Sequence, residues 1–159
     1  MTQKAMLATG LLVATVAVNG CLGIGGGKPL EPVTSLINRV GDQIVGGAFA
    51  VAPRTYTEYK FAVPEGSSNP QLEGTFSTTG GANNDIEVLL LEETQFLNWQ
   101  NRLKFTATYE SGRVTADRIR LPLPDDAAAY VMVFSNRFSI FSSKDVKADV
   151  KLQYERGTR

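Results

Sequence analysis

The stretch Asp145–Tyr154, DVKADVKLQY, alternates without a slip. Val146, Ala148, Val150, Leu152 and Tyr154 fall on one side, and Lys147, Asp149, Lys151 and Gln153 on the other. In a strand, successive side chains point to opposite faces, so this pattern specifies one dry face and one wet face. That is the signature of an antiparallel sheet laid on a core. Thr57, Tyr59, Phe61 and Val63 repeat the same period.

Short apolar-rich runs continue along the chain from Val33. Strands are expected at Gln43–Val51, Thr55–Val63, Gln71–Thr78, Asp85–Glu92, Arg102–Tyr109, Arg113–Leu123, Ala129–Ser135 and Asp145–Tyr154. The breaks PEGSSNP, TTGGANN, ESG and LPDD carry ordinary turn chemistry. YVMVF and IEVLLL are apolar on both faces, which suits central strands covered on both sides. One stretch, Glu93–Gln100, reads as a short helix over one end. Together these predict an all-β, two-sheet antiparallel sandwich of about eight strands, of the jelly-roll kind.

A chain of 159 residues with 43% hydrophobic and 20% charged residues suits one domain with a substantial core. Basic and acidic residues balance at 16 each. With no cationic excess to neutralise phosphates, nucleic acid is not an expected partner. Histidine is absent, which removes the usual general base near neutral pH and the commonest nitrogen ligand for zinc.

The N-terminus has its own logic. MTQKAM carries Lys4, and Leu7–Val18 is an uncharged apolar run of 12 residues, short of the roughly 20 that span a bilayer. A charged start, such a run and small residues after it fit a secretory signal. The chain's single cysteine, Cys21, ends VNGC. This resembles the lipobox of bacterial lipoproteins, with Val18 and Gly20 in the aliphatic and small positions. The resemblance implies cleavage after Gly20, diacylglyceryl transfer to the Cys21 sulfur and acylation of the new amine. Two or more acyl chains anchor stably where one does not. LGIGGGKPLEP then reads as a flexible tether. The organisation expected is a signal peptide at 1–20, lipidated Cys21 and tether to 32, and a sandwich at 33–159. The absence of Asp after Cys21 favours the outer membrane where a cell has one.

Candidate chemistry is sparse. A Ser-His-Asp or Cys-His arrangement is impossible without histidine and with Cys21 used as an anchor. Ser143 and Lys144 are adjacent, so on a strand they point apart. Glu92–Glu93 and Asp125–Asp126 read as solvated turn charges. Asn83, Asn84, Asp85 and Glu87 hold oxygens, but not at the spacing of a calcium loop. No cofactor, metal or catalytic residue is expected. Phe96, Trp99 and Tyr109 are the candidate binding aromatics, since such side chains anchor partners or stack on sugars. Against that, Phe96 and Trp99 at helical spacing suit a cap on the sandwich.

Between the last two strands, Phe134, Phe138 and Phe141 are expected to fold over the open end of the core, while Asn136 and the serines satisfy turn backbone. This corner also resembles the end of the Golgi-dynamics (GOLD) domain, through Tyr130, Phe134, Asn136, Phe138-Ser139, Ser143-Lys144 and Val146. The resemblance spans about a quarter of the chain. It implies a two-sheet sandwich used as a protein-interaction module without intrinsic catalysis; the vesicle role of eukaryotic members is not carried over. The expected function is therefore a lipid-anchored envelope protein that binds another envelope protein. The alternatives are a carbohydrate- or lipid-binding module using the loop aromatics, and a hydrolase with an unrecognised carboxylate site.

Overall fold

The computed structural model describes residues 37–126 and 128–157. The signal stretch, Gly20, Cys21 and the tether all lie outside the described residues. In chain order the elements are β1 (Ile37–Val51), β2 (Tyr56–Ala62), β3 (Ser67–Thr79), β4 (Ile86–Glu92), α1 (Glu93–Gln100), β5 (Tyr109–Val114), β6 (Ala116–Pro122), β7 (Ala129–Ser135) and β8 (Lys144–Gly157). They form two four-stranded sheets, ordered β1-β8-β3-β6 and β2-β7-β4-β5. Each of the pairings is antiparallel. This is a two-sheet sandwich with the strand order of a jelly roll.

The alternation in β8 does what its period requires. Val146, Ala148, Val150 and Leu152 enter the core between the sheets and meet Leu72, Phe76, Ile86, Met132 and Phe134 there. The intervening Lys147, Asp149 and Lys151 face solvent. β7 and β4, the two inner strands of the second sheet, are buried on both faces. Tyr130, Met132 and Phe134 point inward, whereas Leu89, Leu91, Val131 and Val133 point outward beneath Phe96 and Trp99 of α1. The helix therefore lies on the outer face of this sheet and does not cap an end of the sandwich. Two-faced apolar strands need a second cover, and α1 supplies it.

Several segments differ from the pattern read in the sequence; the strand expected at Arg113–Leu123 is divided at Thr115 between the end of β5 and β6. Residues 102–109 were expected to form a strand, yet they run as irregular chain up to Tyr109. Asn101 to Leu103 instead close α1: the Leu103 and Arg102 amides donate to Asn98 O (2.9 Å) and Trp99 O (3.1 Å). Arg102 takes a left-handed conformation (φ 61°), the position after a helix that usually falls to glycine. Phe105 and Ala107 then pack against the outer apolar cluster, which explains the period of two without a ladder. The ESG segment, read as a turn, lies inside β5. There the β4–β5 register shifts between Glu87 and Leu89, and Ser111 Oγ accepts from the Val88 amide at 2.8 Å. In β3, Asn69-Pro70 sits at a bulge, with the β3–β8 register shifting between Ser68 and Gln71. A proline without an N–H is tolerated in an inner strand at such a point.

Candidate binding cleft and the corner

The corner after β7 is built around Asn136, which is buried with no exposed surface. Its two amide hydrogens are shared among the carbonyls of Val51 (3.1 Å), Ala52 (3.2 Å) and Ser142 (2.9 Å). Its backbone amide donates to Thr55 O at 2.9 Å, and its carbonyl accepts from Arg54 and Ser139. One side chain thus ties the β1–β2 turn to the β7–β8 crossing. Lys144 is the second tie. Its ammonium lies 2.8 Å from Asp85 Oδ1 and 3.0 Å from Gly80 O, joining the start of β8 to the turn before β4.

The aromatics of this corner do not share one fate. Phe134 is fully buried, Phe138 is half-buried, and Phe141 is 90% exposed. The expectation that all three fold onto the core is corrected at Phe138, which stands outside both apolar clusters and meets the Arg113 guanidinium instead, and most fully at Phe141. The cause is a tight local turn: Ser139 Oγ donates to Ser142 O at 2.9 Å and accepts from the Ser142 amide at 3.2 Å. Closing that loop turns its tip, Ile140 and Phe141, outward.

The GOLD-like residues also divide. Tyr130, Phe134, Asn136 and Lys144 are buried; Phe138 and Ser139 are intermediate, and Ser143 is exposed. Lys144 points inward to Asp85 while its neighbour Ser143 faces solvent, so the two do not converge. Two of the side chains considered for calcium, Asn84 and Asp85, are engaged otherwise. Asn84 Oδ1 accepts from the Gly80 amide at 2.8 Å, and Asp85 pairs with Lys144. Glu92, Glu93, Asp125 and Asp126 are exposed.

Phe96, Trp99 and Tyr109 do not meet on one surface. Phe96 and Trp99 stack on each other at 5.9 Å and meet Tyr56 edge-on. Trp99 is only 7% exposed, and the Arg137 guanidinium lies 4.7 Å from its ring centre. Tyr109 packs on the opposite, inner side of the sheet and its hydroxyl donates to Asp117. Burial first, and then that hydrogen bond and charge, push the hydroxyl's pKa far above its ordinary value.

Where the helix ends, the outer face of the second sheet opens into a cleft of about 440 Å³. A helix of eight residues reaches about 12 Å, too short to cover the whole face. Its floor is one cross-strand row: Ser135 of β7 pairs with Glu87 of β4, which pairs with Arg113 of β5. Trp99, Arg102, Leu103, Phe105, Arg137 and Phe138 form the walls. The Arg113 guanidinium lies 4.2 Å from the Phe138 ring centre. Arg137 also donates to Trp99 O at 3.3 Å. Burial raises the pKa of Glu87 and Glu110 adds to it, against the opposing pull of Ser135, Arg113 and Arg137.

Arg113 and Arg137 were not singled out from sequence. The only signal was two arginines 24 residues apart in the chain, which the fold brings to one cleft. The chain matches no family model and no curated protein.

Proposed function

We propose that this chain is exported, lipidated at Cys21 after cleavage behind Gly20, and held at the cell envelope, on the outer membrane where one exists. Its sandwich, GOLD-like in the corner residues, serves as a non-catalytic module that binds another envelope protein. The support for anchoring is the order of Lys4, the apolar run Leu7–Val18 and VNGC. The observation that carries the binding reading is Phe141. It is 90% exposed beside Ile140 at 53%, at the tip of a corner whose neighbouring groups are tied down. Aromatic side chains, phenylalanine among them, are enriched at protein interfaces.

The glycan reading has less support, because the faces such a ligand would stack on are occupied. Trp99 is covered by Arg137, and Phe96 of α1 is buried against the sheet.

The test is a crosslinking capture from the native membrane with three forms: wild type, Cys21→Ser and Phe141→Ser. One envelope protein enriched by wild type and lost with Phe141→Ser supports the module. Equal capture by Phe141→Ser removes the tip from the reading. Unchanged membrane retention of Cys21→Ser removes the anchor.

A further inference from the structure

We propose that the cleft beside α1 is a recognition site for a monocarboxylate ligand carrying a short apolar group, with Arg113 and Arg137 as the carboxylate-binding pair.

Both guanidiniums line the cleft, and each lies against an aromatic ring that restricts it, Arg113 on Phe138 and Arg137 on Trp99. Among the described residues neither forms an ion pair. Both act on Glu87 through space, but neither fork is closed by a carboxylate contact, and restrained forks of this kind suit a planar anion, which they bind through paired N–H donors. The stacking also argues against a neutral sugar, since the ring faces are already covered.

The remaining lining narrows the class. Glu87 lies on the floor between Ser135 and Arg113, with Glu110 acting on it from β5. Those carboxylates oppose a dianion more than a single charge, so phosphate fits less well than carboxylate. Leu103, 59% exposed, and half-buried Phe105 give one wall an apolar surface for a short side chain. Peptide C-termini and short fatty acids share this chemistry. The inference does not require the envelope partner above, because small probes test it directly.

The groups acting on Glu87 are Glu110 and Arg113 of β5, Arg137 after β7, and Ser135 of β7, with Arg102 on the cleft wall. Protonation of Glu87 removes a repulsion, so affinity should rise as pH falls from neutral toward the ligand's own pKa. Glu87→Gln should bind more tightly at neutral pH and lose that slope.

Trp99 is the single tryptophan of the chain, so its fluorescence reports this cleft alone. The full chain in detergent is titrated with N-acetyl-leucine, hexanoate, N-acetyl-leucine methyl ester and inorganic phosphate. A saturable change with N-acetyl-leucine or hexanoate and none with the ester is expected; the tighter acid names the source. Arg113→Gln, which leaves the Arg137–Trp99 contact in place, should weaken binding about tenfold. Arg120→Gln on the other sheet should leave it unchanged. Melting curves of each variant separate lost binding from lost fold, and Arg113→Lys, which keeps the charge without the fork, should bind between the two. The proposal is overturned by equal binding of the ester, by tighter binding of phosphate, by an unaltered Arg113→Gln titration, or by no saturable response to either acid.

Discussion

The ammonium of Lys144 sits 2.8 Å from Asp85 Oδ1, with the lysine side chain 3% exposed and the aspartate 14%. Removing one partner of such a pair leaves an uncompensated buried charge, so Asp85→Ala should cost about 3–5 kcal/mol. Burial alone raises the Asp85 pKa, but the hydrogen bond and charge of Lys144 outweigh it and hold the carboxyl below its ordinary 3.8. Because the folded pKa lies below the unfolded one, the stabilisation is complete above about pH 4 and is lost as pH falls through the lowered value. Denaturant unfolding of wild type and Asp85→Ala across that window should show their difference shrinking with acid.

Asn136 offers donors to three carbonyls from two segments of chain. Leucine in its place would leave those carbonyls without this partner, and a buried group stripped of its hydrogen bond costs about 1–3 kcal/mol. Asn136→Leu should destabilise by about 2–4 kcal/mol, read by chemical denaturation. Asn136→Asp should be worse, since it adds a buried charge and removes the donors.

The three corner phenylalanines separate by burial. Phe134→Ala should cost about 3–5 kcal/mol, as for a filled core site. Phe138→Ala should cost about 1–2 kcal/mol, because only part of that ring leaves water on folding. Phe141→Ser should change stability by no more than about 0.5 kcal/mol. Melting temperatures ordered any other way would mean that the loop sits differently in solution.

Gly74 of β3 pairs with Val150 of β8, where the ladder leaves no room for a side chain. A Cβ there would lie 2.3 Å from Asp149 O and 2.6 Å from the Val150 Cα, both backbone atoms that cannot step aside alone. Gly74→Ala should force the strands apart and destabilise by about 1–3 kcal/mol. Amide exchange should accelerate first along the Gly74–Val150 part of the ladder.

The sequence was most legible where one face met water and the other met core. In β8, Val146 to Tyr154 carried the period of two unbroken, and in β4 and β7 the two-faced apolar runs announced inner strands. α1 was readable to its residue limits because Phe96 and Trp99 recur at helical spacing. Residues 102–109 misled for a physical reason: Phe105 and Ala107 lie on the sheet without pairing to it, and alternation records burial, not hydrogen bonding. The exposure of Phe141 was hidden because it follows from the Ser139–Ser142 loop closure, a hydrogen-bond geometry that composition does not encode. The cleft was hidden further, since Ser135, Glu87 and Arg113 become neighbours only through strand register.

β1 is an edge strand, and its first residue, Ile37, pairs with Gly157 at the far end of β8. The two ends of the described chain therefore emerge side by side from one corner of the sheet. A pull applied between them loads the β1–β8 hydrogen bonds one after another, as in a zip, and never in parallel as in a shear lap. The domain should open at low force from that corner even where its buried core makes it resistant to heat.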